Sequence, residues 1–326
     1  MAMEEELGVA IDLGATRARA CLGTSGGKII RREATKMVVS KAVREYLGQI
    51  SSLVREVTKG IPPDKIQGVC LASPGPLDLK RGLISHTANL PYRDVPVIAS
   101  LRESLGLEAR LVNDANAGAL GEKKWGAGKG RSNIFYLTIS TGIGGGAIVD
   151  DRLLLGKDGN AAEVGHITID SSGKLTCGCG KRGHWEAYCS GTGIPALTRV
   201  IWEELGEARR ARYGSRLSTT MDSVSAADVY GEAERGDAFA LRVVEEVGRL
   251  NAIGVANIAN AYDPELLTIG GGVALNNPER VLSPIQKMTG DYAINRVPEV
   301  RITPLGDDAG LLGALSAAFD PSLIGL

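Results

Sequence analysis

The sequence predicts an α/β fold built from two halves that open alike. Along its 326 residues, apolar runs of strand length alternate with stretches that repeat apolar residues at helical spacing. In each half, strands flank a glycine-rich turn, and a helix and a further strand follow. The first half opens near residue 7 and the second near residue 134. Strands that alternate with helices favour an α/β class over an all-α or an all-β one.

The first half opens with an apolar run, Leu7–Leu13, which has the length and composition of a buried strand. The stretch 41–59 predicts an amphipathic helix because its apolar residues recur every three or four positions. The residues of this apolar face are Val43, Leu47, Ile50, Val54 and Val57. The other elements predicted for this half are strands at Arg19–Gly23, Ile29–Met37, Ile66–Ala72 and Ala109–Val112, a Gly26-Gly27 turn, and a helix at Ala115–Lys124.

A glycine-rich segment, Trp125–Gly130, separates this half from the second. The second half opens with the apolar strand Ile134–Ile139, and a polar glycine turn follows at Ser140–Gly146. The later predictions are a strand at Ala147–Val149, a hairpin turn at Asp150-Asp151, a helix at Ala238–Ala261, a strand at Leu266–Ile269 and a final helix at Asp307–Ala318.

Composition and charge narrow the class of protein. Hydrophobic residues make up 44% and charged residues 23% of the chain, as in ordinary soluble globular proteins. A formal net charge of −1 argues against nucleic acid or an acidic membrane surface as a partner. The N-terminus lacks the features of a secretion signal, and no apolar run has the length needed to span a membrane. We therefore expect a cytoplasmic protein without disulfides.

Three glycine-containing turns follow apolar strands, at Asp12–Thr16, Ser140–Gly146 and Gly270–Gly272. Glycine lets backbone N–H groups approach a phosphate closely, and the hydroxyls of Thr16 and Thr141 can donate hydrogen bonds to it. Asp12, at the end of a strand, can hold a hydrated Mg²⁺. A single glycine hairpin is more often structural, but three of them in two halves favour a nucleotide bound between two domains.

Four potential metal ligands lie within nineteen positions, although the whole chain has three histidines and five cysteines. They are His166, Cys177, Cys179 and His184. Thiolate and imidazole are the ligands typical of tetrahedral Zn²⁺. The alternative is a glycine-rich surface loop with incidental cysteines, because zinc motifs usually place more than one residue between paired cysteines. The clustering of two rare residue types favours a structural zinc site.

Five motifs occur in order along the chain. They are Asp12-Leu13-Gly14-Ala15-Thr16, Asn113-Asp114-Ala115-Asn116, Ser140-Thr141-Gly142-Ile143-Gly144-Gly145-Gly146, Glu163-Val164-Gly165-His166 and Cys177-Gly178-Cys179-Gly180. With these motifs the sequence resembles the ROK family (repressors, uncharacterised frames and sugar kinases) from Val9 to the final helix. The resemblance implies the actin-like, ribonuclease-H-like ATPase fold, with two α/β domains and an interdomain cleft.

The resemblance implies an ATP-dependent kinase that phosphorylates the C6 hydroxyl of a hexose, with glucose as the expected sugar. The alternative within the family is a kinase for N-acetylmannosamine or N-acetylglucosamine, because the room near C2 of the sugar cannot be read from spacing. A sugar-responsive repressor is disfavoured. Repressors of the family carry a helix-turn-helix domain ahead of the first phosphate loop, and the first strand here starts near residue 7.

Asp114 matches the general base of the family. Its place between a predicted strand and a predicted helix agrees with this role, because side chains at the carboxyl ends of strands point toward bound ligands. A carboxylate within hydrogen-bond reach of the attacking hydroxyl can accept its proton during phosphoryl transfer. Read from local sequence alone, Asp114 is also a candidate N-cap of the following helix.

The resemblance assigns the other site residues by motif. The sugar contacts it implies are Asn89, Asn113, Glu163, His166, Glu186 and Gly75. The ATP and Mg²⁺ contacts it implies are Asp12, Gly14, Thr16, Thr141, Gly142, Gly270, Gly271 and Gly272. The Zn²⁺ ligands it implies are His166, Cys177, Cys179 and His184.

Two positions depart from the family pattern. The first loop commonly has a second glycine where this chain has Ala15, which places a methyl group near the predicted phosphate. The zinc motif commonly has a third cysteine where this chain has His184, so that a Cys₂His₂ set replaces Cys₃His with one less negative charge.

The resemblance also predicts domain organisation and partners. We expect a smaller discontinuous domain formed by residues 1–114 and 305–326, and a larger domain at 115–304 that carries the zinc loop. The expected partners are a sugar and ATP, without nucleic acid or membrane, and family members are commonly homodimers or homotetramers.

Overall fold

The elements below come from a computed structural model that describes residues 5–14, 16–40, 42–86 and 91–325. Its strands are β1 (Leu7–Leu13), β2 (Arg17–Thr24), β3 (Ile29–Lys36), β4 (Ile66–Ser73), β5 (Leu77–Asp78), β6 (Leu83–His86), β7 (Arg93–Val95), β8 (Ala109–Asn113), β9 (Ile134–Ile139), β10 (Ile143–Val149), β11 (Arg152–Leu153), β12 (Leu266–Gly270) and β13 (Glu299–Ile302).

Helices alternate with these strands along the chain. They are α1 (Val43–Thr58), α2 (Val97–Leu105), α3 (Asp114–Trp125), α4 (Glu186–Cys189), α5 (Gly193–Glu204), α6 (Gly206–Tyr213), α7 (Ala226–Glu234), α8 (Ala238–Tyr262), α9 (Gly272–Asn276), α10 (Pro278–Met288) and α11 (Ala309–Phe319). None of the helices in the described ranges has the length and hydrophobicity that crossing a membrane requires.

The first sheet has the strand order β3-β2-β1-β4-β8. Strand β1 is antiparallel to β2 and parallel to β4, which is in turn parallel to β8. Residues on both faces of β1 and β4 are buried, which explains their nearly continuous apolar sequences. Helix α11 packs against β1 and β4, so the last helix of the chain lies on its first sheet.

The predicted amphipathic helix at 41–59 is confirmed as α1, although Lys41 lies outside the described residues. Leu47, Ile50, Val54 and Val57 of its apolar face are buried in the core beside β1 and β4. The helix ends at Thr58, shortly before Pro62 and Pro63, which would interrupt its hydrogen bonds.

The second sheet has the strand order β11-β10-β9-β12-β13, and β12 is parallel to β13. Asp150 and Asp151 join β10 to β11 with φ values of 50° and 64°, which confirms the predicted hairpin turn. The predicted turn at Ser140–Gly146 is wrong over its second half, because β10 already begins at Ile143. Glycine is needed there for close packing, since a Cβ on Gly146 would lie 2.3 Å from the carbonyl oxygen of Ala115.

The chain divides into two compact units. The first contains residues 1–136, 146–162 and 303–326, and the second contains residues 137–145 and 163–302. In the first unit, the buried Glu122 carboxylate accepts hydrogen bonds from Thr303 Oγ1 and the backbone N–H of Ala127. In the second unit, Trp185 is fully buried against Gly254 of α8. The predicted functional domains, divided at residues 114 and 304, stay a prediction.

Candidate active site

Three parallel strands of the first sheet bring predicted site residues to one edge. The register pairs Asp12 of β1 with Ala72 of β4, and Ser73 at the end of β4 with Asn113 at the end of β8. Parallel strands present their carboxyl ends at the same edge, which is where ligands bind in open α/β sheets. This edge of the sheet therefore carries Asp12, Asn113 and the start of the segment after Ser73, which contains Gly75.

Asn113, rather than Asp114, is the N-cap of α3. Its Oδ1 accepts hydrogen bonds from the backbone N–H groups of Ala115 at 2.9 Å and Asn116 at 3.1 Å. Asp114 is the first residue of the helix, and its Oδ1 accepts from the N–H of Ala115 at 2.8 Å. The helix N-terminus favours the ionised form of a carboxylate. Since Asn113 caps the helix, the capping role does not depend on Asp114.

The first glycine turn connects β1 and β2. The N–H of Gly14 donates to the carbonyl oxygen of Arg17 at 2.9 Å, and the N–H of Met37 donates to the carbonyl oxygen of Thr16 at 2.9 Å. Thr16 is exposed. At the start of the turn, the carboxylate of Asp12 forms an ion pair with Arg19 of β2. The described residues on either side of Ala15 thus belong to an antiparallel pair of strands, as predicted. The sequence analysis did not identify Arg19 as the positive partner of Asp12.

The turn after β9 is fixed by a neighbouring segment of the second unit. The N–H of Gly191 donates to the carbonyl oxygen of Ser140 at 2.7 Å. Thr192 donates to the carbonyl oxygen of Thr141 through its hydroxyl at 3.0 Å and through its N–H at 3.3 Å. Within the turn, the N–H of Ser140 donates to the carbonyl oxygen of Gly142 at 2.9 Å. These bonds leave the turn little freedom to change shape.

The third glycine turn, Gly270–Gly272, lies beside the second one. Gly271 has a φ of 86°, and a Cβ there would lie 2.6 Å from both Ile139 O and Thr138 Oγ1. A Cβ on the following glycine would lie 3.9 Å from Ser140 Oγ. Both glycine turns of this unit, which the sequence analysis predicted for nucleotide binding, thus meet at the ends of β9 and β12.

The carboxylate of Glu186 lies under the Ser140–Gly142 turn. Its Oε2 accepts a hydrogen bond from the N–H of Ile143 at 2.9 Å, and its Oε1 lies 3.4 Å from the thiol of Cys177, which donates to it. A Cβ on Gly142 would lie 2.5 Å from Oε2, so a larger residue at this position would displace the carboxylate or the turn. Glu186 therefore connects the predicted phosphate turn to the predicted metal loop.

Glu163 immediately precedes the short helical turn Val164–His166, and His166 is its last residue. Burial is the largest influence on Glu163 and raises the pKa of its carboxyl; His166 opposes this shift and Glu186 adds to it. A half-buried carboxylate of this kind needs hydrogen-bond donors, which the hydroxyl groups of a sugar can supply. Gly165 packs against β10, since a Cβ there would lie 2.1 Å from the carbonyl oxygen of Ile143.

The four predicted metal ligands form one cluster. Ligand atoms of His166, Cys177, Cys179 and His184 all lie within 4.8 Å of one another. Cys177 Sγ lies 3.7 Å from His166 Nδ1, and Cys179 Sγ lies 3.3 Å from His184 Nδ1. Ligand atoms of a tetrahedral zinc ion, at about 2.0–2.3 Å from the metal, lie about 3.3–3.8 Å apart. Both of these Sγ–Nδ1 distances fall in that range, so the chemistry of the donors and these two spacings suit Zn²⁺.

Backbone hydrogen bonds shape the loop that carries these ligands. The N–H of Cys177 donates to the carbonyl oxygen of Lys181, and the N–H of Gly180 donates to the carbonyl oxygen of Cys177, both at 2.8 Å. Gly183 has a φ of 75°, and a Cβ there would lie 2.1 Å from the carbonyl oxygen of Asp170. These backbone hydrogen bonds and the left-handed glycine therefore contribute to the shape of the loop.

The sequence model of the ROK family matches residues 8–320 of the chain. The chain belongs to the ROK family. It is 37% identical over 316 residues to a glucokinase of Aeropyrum pernix. This alignment covers 95% of this chain and 96% of the relative. It is 34% identical over 319 residues to a glucokinase of Halalkalibacterium halodurans, which covers 95% of this chain and 94% of the relative.

A solved ROK structure also resembles this one. The ROK family glucokinase from Streptomyces griseus, in complex with glucose and AMPPNP, has a TM-score of 0.80 and 29% identity, and the similarity covers 95% of this chain and 98% of that one. This similarity confirms the predicted α/β class with the actin-like ATPase fold.

Asn89, predicted to bind sugar, lies outside the described residues, as does Ala15. Sequence analysis missed Arg19 and Thr192. The only sequence signal for Arg19 is its place opposite Asp12 in a hairpin with a three-residue connection, and spacing gives no signal for Thr192.

Proposed function

We propose that this ROK protein is an ATP-dependent glucokinase that transfers the terminal phosphoryl group of ATP to the C6 hydroxyl of glucose. The observation that carries the proposal is the similarity to curated glucokinases, at 34% and 37% identity over 95% of this chain. A kinase for N-acetylmannosamine or N-acetylglucosamine is the alternative, and the residues described above do not favour it.

Asp114 is the proposed general base. It lies at the carboxyl end of β8 and begins α3, beside the edge that also carries Asp12. The ionised carboxylate accepts the proton of the C6 hydroxyl while the oxygen attacks the phosphorus atom, and the bond from phosphorus to the leaving ADP oxygen breaks. Asn113 fixes the start of the helix and thereby the position of Asp114.

The proposed sugar contacts are polar side chains that suit hydroxyl groups. Carboxylates accept from hydroxyls, while amide and imidazole groups can both donate and accept. Burial of Glu163 supports its role. It raises the pKa of this half-buried carboxyl, and a sugar hydroxyl could donate a hydrogen bond to it. The full proposed set is Asn89, Asn113, Glu163, His166, Glu186 and the backbone at Gly75.

The glycine turns are the proposed sites for ATP and Mg²⁺. A magnesium ion would be held near Asp12 and the phosphates. It would neutralise the charge that develops on the transferred group. Asp12 fits because a sparse carboxylate at a strand end is the kind of ligand that hydrated Mg²⁺ uses. The proposed nucleotide contacts are Gly14, Thr16, Thr141, Gly142, Gly270, Gly271 and Gly272.

We propose a structural Zn²⁺ bound by His166, Cys177, Cys179 and His184. The closed ligand set supports a structural role, because four protein ligands leave no open coordination position for substrate. The ion would hold the loop so that His166 and Glu186 keep their positions. Elemental analysis of purified protein should find about one zinc per chain, and metal-free protein with full stability would exclude the site.

The remaining proposals follow from the family. We propose that the partners are the sugar and ATP, that the protein is cytoplasmic, and that it forms a homodimer or homotetramer. Size-exclusion chromatography with light scattering measures the oligomeric state directly, and a monomer would exclude this last proposal.

A coupled assay of ADP release tests the proposed function. The assay compares glucose with mannose, fructose, glucosamine, N-acetylmannosamine and N-acetylglucosamine at equal ATP. We expect the highest kcat/KM with glucose. A higher kcat/KM with an N-acetylated hexosamine would favour the alternative kinase, and no turnover of any of these sugars would exclude both proposals.

A further inference from the structure

Arg19 links the end of β1 to the start of α11. In the β1–β2 register, Arg19 is directly opposite Asp12. Its Nε donates to Asp12 Oδ2 at 3.1 Å, and its Nη2 contacts the same oxygen. Nη2 also donates to the carbonyl oxygen of Asp307 at 2.8 Å, and Nη1 lies 3.8 Å from Asp308 Oδ1. The guanidinium thus joins the first glycine turn to the last helix.

This ion pair is more protected than a typical surface pair. The side chains of Arg19 and Asp12 are 20% and 21% exposed, whereas Arg81 in its pair with Asp78 is 66% exposed. Two nitrogens of the Arg19 guanidinium contact the same oxygen of Asp12, and they hold the carboxylate in one orientation.

Arg32 provides a nearby cation with a different partner. Its Nη2 donates to Asp308 Oδ2 at 2.6 Å, on the other oxygen of the carboxylate that faces Arg19. Asp308 Oδ1 is buried and accepts no hydrogen bond among the described residues. Arg19 and Arg32 thus share one acidic neighbour, whereas the contact with Asp12 described above is made by Arg19. Substitutions of Arg19 and Arg32 can therefore be compared to separate the loss of the contact with Asp12 from the loss of a contact with Asp308.

We propose that Arg19 is a positioning residue for magnesium-nucleotide binding. It holds Oδ2 of Asp12, so that Oδ1 is the oxygen presented to the water shell of the magnesium ion. The inference rests on the proposed function, in which Asp12 and the first glycine turn bind ATP and Mg²⁺.

Two electrostatic effects of opposite sign determine how Arg19 changes the affinity for the magnesium-nucleotide complex. The guanidinium repels a free Mg²⁺ ion, but it attracts the magnesium-nucleotide complex, because that complex carries a net negative charge. The ion pair also orders the Asp12 side chain before the ligand arrives, which reduces the entropy lost on binding. Attraction and preorganisation act together, so loss of Arg19 weakens binding of the complex.

Titration calorimetry with AMPPNP in excess MgCl₂ tests the proposal. For Arg19→Gln we expect the Kd to rise about tenfold, which corresponds to about 1.4 kcal/mol. Arg19→Lys keeps the charge but loses the fork of two nitrogens, and we expect a rise of about threefold. Arg32→Gln, the matched control, should stay within about twofold of the unchanged protein. KM for glucose should stay within about twofold in all three variants.

The proposal is overturned if Arg19→Gln binds Mg·AMPPNP as tightly as the unchanged protein, or more tightly. Thermal melting first establishes that each variant folds. Should Arg19→Gln not fold, Arg19→Lys is compared with Arg32→Lys, and equal Kd values for these two would overturn the proposal as well. Turnover of glucose by the unchanged protein is measured separately, so failure of the proposed function is distinguishable from failure of this inference.

Discussion

Substitution of Gly142 by alanine tests the packing between the phosphate turn and Glu186. A Cβ at this position would lie 2.5 Å from Glu186 Oε2, where ordinary contact begins at 3.4 Å. The oxygen or the turn must therefore move by about 0.9 Å. Glu186 is not free to move without cost, because Oε2 accepts a hydrogen bond from the N–H of Ile143 at 2.9 Å.

The size of the effect follows from the bond that the new methyl group disturbs. A shift of this size stretches the contact between Ile143 N and Oε2 beyond hydrogen-bond range. Loss of a hydrogen bond to a charged group destabilises a protein by about 1.5–3 kcal/mol. We therefore expect Gly142→Ala to lower the free energy of unfolding by this amount. Since the turn and Glu186 are proposed ligands of phosphate and sugar, kcat/KM should fall by about tenfold or more.

Gly290→Ala is the matched control. It belongs to the same unit but not to the proposed site residues, and a Cβ there would make only an ordinary contact, 3.9 Å from Val297 Cγ2. Both substitutions change the unfolded chain equally, so the difference between them isolates the effect of the clash. Urea unfolding measures the stability and the coupled ADP assay measures kcat/KM. If the two variants agree within about 0.5 kcal/mol and about twofold in kcat/KM, the packing argument is wrong.

Three further predictions concern stability. Gly48 lies on the exposed side of α1, and alanine favours a helix more than glycine does. Gly48→Ala should therefore raise the free energy of unfolding, measured by urea titration, by about 0.5–1 kcal/mol, and a lower free energy would refute this prediction. The buried Nε1–H of Trp185 donates to Asn251 Oδ1 at 2.9 Å, and Asn251→Ala removes this acceptor. The free energy of unfolding should therefore fall by about 1–3 kcal/mol, and an unchanged free energy would contradict this prediction. For Asp170, burial raises the pKa, but hydrogen bonds from Ser172, Tyr188 and two backbone N–H groups outweigh it and lower the pKa to about 2. The stability this carboxylate contributes is therefore present above pH about 4 and lost as the pH falls toward 2. The advantage of the unchanged protein over Asp170→Asn should shrink over that range, and a constant difference would exclude the linkage.

Much of the fold could be predicted because strongly apolar runs dominate it. The boundaries of β1 and β9 agree with the prediction, since each is an apolar run that a glycine turn ends. The start of β10 was missed because Gly144–Gly146 reads as a turn, whereas close packing requires glycine within the strand. The small sheet β5-β6-β7 was also not predicted, because strands of two to four residues carry too little periodicity.

The candidate site could be predicted where chemistry is concentrated in rare residues. His166, His184 and the paired cysteines stand out in a chain with three histidines and five cysteines, and the structure brings them together. The contact between Arg19 and Asp12 depends on strand register, and the capping of α3 by Asn113 depends on local side-chain geometry. Spacing along a sequence determines neither of these features.

Turnover by Asp114→Asn is the measurement that tests the central claim most directly. The substitution keeps the shape of the side chain and removes its ability to accept the hydroxyl proton. With saturating glucose and ATP, kcat should fall by about 10²–10⁴-fold, while the Kd for glucose, measured by calorimetry, changes by less than about threefold. Asp64→Asn, which alters an exposed carboxylate of the same unit, should leave both quantities unchanged. A kcat for Asp114→Asn within about tenfold of the unchanged protein would show that another group accepts the proton.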